Sequence, residues 1–314
     1  MKIAPAFYVL IVVTGLVGGL SLAQREGGIF NCQARGYSAN RYLAYCAGDH
    51  YGDYDHGAFW LDLEPVAQHN AASADALFLG NSRLQVALAS RAADEWFGRR
   101  SSKYYLMGFM YAEPMVFAHD VLRKLRPRAK LYVINLDSFF RDELSEPARF
   151  VQTDRQALSR YREKRDWQPV HSAICGTLAR LCGRGEVWYR ARDTGALTLE
   201  DAKDERLPPT DVTTADAAEV AREVAAAEPF LASLGVPRNC VVFTLVPKPR
   251  APVGTAREIA AALDVTFIAP EIDGLLTRDA SHLDAASVDR WSEEFFRQAG
   301  PALDACLGNA GTVQ

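Results

Sequence analysis

Five short apolar runs, at 76–79, 104–107, 131–134, 241–246 and 265–268, alternate with segments whose apolar residues recur at helical spacing. Runs such as Ala76-Leu77-Phe78-Leu79 and Val241-Val242-Phe243-Thr244-Leu245-Val246 show no in–out alternation, so they read as strands buried on both faces. Helices between successive strands make the sheet mainly parallel and cover both its faces. The expected fold class is α/β, a three-layer sandwich on a mainly parallel sheet.

The helical segments fall at 83–93, from Glu113-Pro114 onward, at 215–234, at 255–263 and after Asp284. Proline suits the first turn of the second, which carries Phe117, Val121, Leu122 and Leu125 on one face. Asp284 is a good N-cap for the last, with Val288, Trp291 and Phe295 spaced for the core. The alternation lapses twice. Residues 24–70 read as a loop-rich lead-in. Residues 141–213 are polar and Arg-rich, with Trp167 and Trp188 looking exposed, and read as a helical insertion or cap that offers a partner-docking surface. That leaves 71–140 and 214–308 as two halves of one domain. In such sheets ligands bind beyond the carboxyl ends of the strands, where the winding reverses.

Residues 1–23 form a separate segment. From Ile3 to Leu22 every residue is apolar, small or Pro5, apart from Thr14 and Ser21, and Lys2 precedes the run. About 20 such residues match a bilayer core, so a transmembrane anchor is expected; Ser21-Leu22-Ala23 also offers the small-x-small pattern of a cleaved signal. Either reading exports the rest of the chain, to an inner-membrane-anchored periplasmic domain or to the free periplasm. The net charge of −4 argues against nucleic acid as a partner.

Six cysteines suit an oxidising compartment. Six thiols allow about 15 pairings. Nearest-neighbour pairing gives Cys32–Cys46, Cys175–Cys182 and Cys240–Cys306. The middle pair requires a helix break, because seven helical residues rise about 10 Å, beyond the roughly 7 Å limit between bridged Cα atoms. No cysteine spacing matches a zinc site. The cluster Asp49-His50, Asp53 and Asp55-His56 has metal-ligand residue types without a recognised spacing and reads as a solvated loop. No metal or cofactor is called for.

Two segments carry chemistry. Gly80-Asn81-Ser82-Arg83 follows the first strand and starts a helix, which lifts a serine hydroxyl off the sheet near free N–H groups. Asp279-Ala280-Ser281-His282 precedes the last helix. A serine needs a base, and His282 supplies one, with Asp279 to accept its Nδ1 proton. Arg83 either orients an anionic substrate or pairs with a nearby acid, and with Asn81 it is a candidate substrate-binding residue. Lys248 and Arg250 read as solvated loop charges.

These two segments resemble the SGNH (GDSL-like) hydrolases, whose first block is a strand with a Gly-x-Ser turn and whose last is Asp-x-x-His. The likeness spans roughly 71–140 and 237–300 and is closest in flavour to membrane-anchored, exported members linked to acylation of cell-surface polymers, as in alginate acetylation and teichoic-acid D-alanylation. It implies a flavodoxin-like sheet, a Ser82-His282-Asp279 triad, and ester chemistry on acylated carbohydrate or polymer substrates. Gly108 matches the second block's glycine, whose N–H serves an oxyanion hole. Asn81 stands where the usual block has aspartate, and the third block's Gly-x-Asn is replaced by Ile134-Asn135-Leu136-Asp137, with Asn135 one oxyanion candidate out of register. The expected activity is an esterase or O-acyltransferase. The alternative is a non-catalytic SGNH-like module that binds polymer or assists a polytopic acyltransferase.

Overall fold

The computed structural model describes residues 5–25, 30–46, 52–200 and 205–308. The chain opens with helix α1 (Pro5–Arg25), followed by strands β1 (Phe30–Cys32), β2 (Arg41–Cys46) and β3 (Gly52–Asp53) and helices α2 (Asp55–Trp60) and α3 (Pro65–Ser73). The alternating region then runs β4 (Ala76–Asn81), α4 (Ser82–Ala87), α5 (Arg91–Gly98), β5 (Tyr104–Phe109), α6 (Met115–Leu125) and β6 (Leu131–Asn135). An excursion follows through α7 (Glu146–Thr153), α8 (Ala157–Thr177), β7 (Cys182–Gly185), β8 (Val187–Ala191) and β9 (Leu197–Glu200). The alternation resumes with α9 (Ala217–Ser233), β10 (Val241–Thr244), α10 (Val253–Ala262), β11 (Thr266–Phe267) and α11 (Ala285–Leu307).

The five apolar runs pair as one parallel sheet in the order β5-β4-β6-β10-β11. Every residue of β4, β5 and β6 is buried, as strands between two layers of helices must be. Numbered in chain order, the strands read 2-1-3-4-5, so the winding reverses between β4 and β6 and opens a crevice at their carboxyl ends. The single helix expected at 83–93 is two, because the Ser90 side chain accepts the Ala93 N–H and starts α5 afresh. Asp284 caps α11 as expected, accepting the Ser287 N–H.

The two lapses in the alternation are one structural unit. Residues 24–70, expected to be loop-rich, hold β2 and β3, and these join β8 and β9 of 141–213 in a four-stranded antiparallel sheet ordered β3-β2-β8-β9. Strands β1 and β7 also pair across the two segments, in parallel. The lead-in and the excursion therefore fold together.

Three disulfides link Cys32–Cys46, Cys175–Cys182 and Cys240–Cys306, with Cα separations of 5.6, 5.8 and 5.6 Å. The break required by the middle pair is present: α8 ends at Thr177 and a 3-10 turn, Ala179–Leu181, leads into β7. The bonds place the folded part in an oxidising, extracytoplasmic compartment. In α1 the apolar side chains of Phe7–Val13, Leu16 and Val17 are exposed. Among the described residues no helix is long and apolar enough to cross a membrane, the described side chains of α1 running only from Phe7 to Gly19.

Candidate active site

Ser82 is the first residue of α4, at the carboxyl end of β4 and beside the winding reversal. Two neighbours fix this turn. Gly80 has φ +156°, and a Cβ on it would stand 2.9 Å from the Cβ of Asn135, too close for any larger residue. Asn81 caps α4: its Oδ1 accepts the Arg83 N–H at 3.0 Å, and its Nδ2 donates to Asp137 at 2.9 Å.

His282 lies on the loop between β11 and α11. That loop is bridged internally by Thr277 and Leu283, and Asp279 bridges to Glu205 at the end of the excursion. Ala280 takes the left-handed φ of 60° that turns the chain back. Within the turn, Asp279 Oδ1 accepts the backbone N–H groups of Ser281 (3.0 Å) and His282 (2.7 Å), and Oδ2 faces His282 Nδ1 at 2.7 Å. Burial pushes the Asp279 carboxyl up, but the hydrogen bonds from His282 and Ser281 outweigh it and hold it below the usual carboxylate range. An ionised carboxylate keeps the proton on Nδ1, so Nε2 is the acceptor, and it stands 2.9 Å from Ser82 Oγ. Residues 200 positions apart in the chain thus form a Ser-His-Asp relay at the strand edge.

The 141–213 segment supplies one wall. Trp188, expected to be exposed, is buried in β8 with its ring edge-on to His282 at 4.8 Å between centroids. Trp167 is the exposed one. Gly108 lies within β5 directly opposite Gly80, and a Cβ there would meet the carbonyl oxygens of Asn81 and Gly80 at 2.8 and 2.9 Å. Its glycine identity is therefore explained by close strand approach. Asn135 ends β6; its Oδ1 accepts the Val246 N–H at 3.0 Å, whereas its buried Nδ2 has no partner among the described residues. Asn81 is buried with both ends of its amide committed, which makes it a capping residue and not a substrate contact.

Sequence reasoning missed Asp137. This buried carboxylate accepts Asn81 Nδ2 and Arg83 Nη1 on one oxygen and Lys248 Nζ, at 2.6 Å, on the other. Burial raises its pKa, but the charges of Arg83 and Lys248 prevail and lower it. Lys248, expected to be a solvated loop charge, is held here because the chain after β10 passes over the end of β6. Arg83 Nε also donates to Ser281 Oγ at 3.0 Å, joining the Ser82 helix to the His282 turn.

The Asp53–His56 segment is likewise not a solvated loop. His56 is fully buried, with Nδ1 2.9 Å from Asp53 and Nε2 2.8 Å from Glu113. Asp55 pairs with the fully buried Arg190 at 2.7 Å, and Arg190 also donates to the carbonyls of Leu106 and Gly108. Asp49 and His50 lie outside the described residues. The available signal was Asp53-x-x-His56, the same spacing as Asp279-x-x-His282. Two groupings of His171 with cysteine sulfurs have metal-like proximity, but every sulfur in them is bonded in a disulfide.

No family model, curated protein or solved structure matches the chain. The chemistry therefore rests on the geometry. A hydroxyl on a neutral imidazole acceptor, backed by an ionised carboxylate, can be deprotonated as it attacks a carbonyl, and the imidazolium can return the proton to the leaving alcohol.

Proposed function

We propose that this chain is an exported serine esterase or O-acyltransferase of the SGNH type, acting on acyl esters of carbohydrate or cell-envelope polymers. The observation that carries the reading is the continuous Ser82–His282–Asp279 relay at the winding reversal of a sheet with the flavodoxin-like strand order. Ser82 attacks the ester carbonyl while His282 takes its proton, an acyl-enzyme forms, and the alcohol leaves with that proton. Water as the second acceptor completes hydrolysis; a glycan hydroxyl completes transfer. The Ser82 N–H and the unpartnered Nδ2 of Asn135 hold the oxyanion, a role in which Asn135 takes precedence over Gly108.

A carbohydrate substrate is supported by Tyr111, a half-exposed aromatic ring just past the end of β5, beside the nucleophile's strand. Tyr111 and Ala112 are consecutive left-handed residues, with φ of 60° and 50°, and the Tyr111 ring packs edge-on to Tyr45 and His56, at 6.2 and 6.3 Å between centroids. The apolar helix α1 holds the domain at the inner membrane on its periplasmic side, within reach of a polytopic acyltransferase.

The test is mass spectrometry of the full chain in detergent after a fluorophosphonate probe. The expected result is an adduct on Ser82 that disappears in Ser82→Ala and falls sharply in His282→Ala. A folded protein with no adduct at Ser82 would remove the enzymatic reading and leave a polymer-binding module in its place.

A further inference from the structure

One carboxylate needs one cation to neutralise it, yet the buried Asp137 beside the nucleophile holds two. Arg83 and Lys248 both pair with it, and Asn81 adds a third donor. The cluster therefore carries a net positive charge. The buried Glu223 on α9 lies within electrostatic range of Asp137, but burial and Glu219 raise its pKa to about 7, so it offsets the cluster only in part. Asp279 keeps its own charge beside His282, but both its oxygens are turned to the imidazole Nδ1 and to two backbone N–H groups and neither bonds Arg83 or Lys248; Glu205 is exposed and tied to the histidine turn through its backbone. The side chains of Arg83 and Lys248 are about one-fifth exposed, at 20% and 21%, so the excess charge faces solvent and not the core. Their remaining hydrogens are uncommitted among the described residues: Nη2 of Arg83, and two of the three ammonium protons of Lys248, given the single carboxylate oxygen it contacts.

Two long cationic side chains ordinarily lose entropy when an anion orders them. Here Asp137 has already fixed both, next to the serine that attacks the ester. We propose that Arg83 and Lys248 form an anion subsite, and that the acyl ester cleaved or transferred at Ser82 sits on a sugar bearing a carboxylate or phosphate group. Arg83 supplies a planar fork and Lys248 a point charge, a pair suited to an oxyanion group. The proposal deepens the ester reading and depends on it for the place of the scissile bond, whereas the subsite itself is open to a binding measurement.

The experiment uses the full chain in detergent and acetyl esters of three matched sugars: a neutral methyl glucoside, its glucuronate and its 6-phosphate. kcat/KM for the anionic esters is expected to exceed that for the neutral one by about 10- to 100-fold, the worth of one charge-assisted hydrogen bond. Lys248→Gln should collapse that ratio, Lys248→Arg should restore most of it, and the better of the two anionic substrates identifies carboxylate or phosphate. Equal turnover of all three, or a Lys248→Gln variant that slows all three by one factor, overturns the subsite while the esterase stands. Should Ser82 prove unreactive, equilibrium binding of glucuronate and glucose 6-phosphate to the same protein decides the matter. Binding of either over glucose that is lost in Lys248→Gln upholds the subsite, and its absence overturns it.

Discussion

The chain contains two histidines held by an aspartate three residues earlier, and they do opposite work. In both, the aspartate accepts from Nδ1, at 2.9 Å for Asp53–His56 and 2.7 Å for Asp279–His282, and its carboxylate is also within reach of the histidine's own N–H. The difference is at Nε2. His56 meets a second carboxylate, Glu113, in a fully buried site, so both nitrogens donate and the ring is locked as an imidazolium. Burial alone would push its pKa down; the charges and hydrogen bonds of Asp53 and Glu113 overcome this and hold it up at about 10. His282 meets a hydroxyl at a partly open edge and keeps a free acceptor. A motif that reads identically in sequence is thus a bolt in one place and, in the function proposed, a base in the other, and the third group decides which.

Conservative substitution at each aspartate should separate the roles. Asp279→Asn should lower kcat by about 10⁴-fold, since an amide permits the tautomer that points a proton at Ser82. Its urea midpoint should barely move, because the site is partly solvated. Asp53→Asn should do the reverse. Removing one charge from a buried ion cluster costs about 3 kcal/mol or more, read as a lower urea midpoint, while kcat of the folded protein stays near wild type. An Asp53→Asn protein of wild-type stability and no activity would break the comparison outright.

What the sequence made legible follows the same line. The strands declared themselves through short, largely apolar runs, four of them buried and the edge strand β11 partly exposed, and Ser82, Asp279 and His282 through short-range spacing beside those strands. Nearest-neighbour disulfides were readable because chain proximity favours them. The ionic cluster was not. His56 depends on Glu113, 57 residues away, and Asp137 gathers Asn81 and Arg83 from one turn and Lys248 from another, which only the sheet order brings together. Periodicity reports which face of an element is buried; it carries no record of which distant charge shares that burial. The antiparallel sheet was hidden for a related reason, since β2 finds its partner β8 across more than a hundred residues that include most of the first half-domain.

The most gradual expected effect concerns pH, and it sharpens the contrast because only one of the two histidines is locked. In the unfolded chain His56 titrates near its ordinary value of 6.5, and in the folded protein near 10. Between these values the native state keeps a proton that the unfolded state has released, so stability falls as pH rises. The contribution is complete below about pH 6.5 and disappears through about pH 10, with a slope no steeper than about 1.4 kcal/mol per pH unit for one proton. Urea midpoints from pH 6 upward should therefore decline in the wild type more steeply than in His56→Gln, which is less stable at neutral pH but has no proton to lose. Tyrosines and lysines titrate in both proteins and cancel in the difference. Parallel curves would mean that His56 is neutral between its two carboxylates, and the cluster would then be held by hydrogen bonds without the trapped charge.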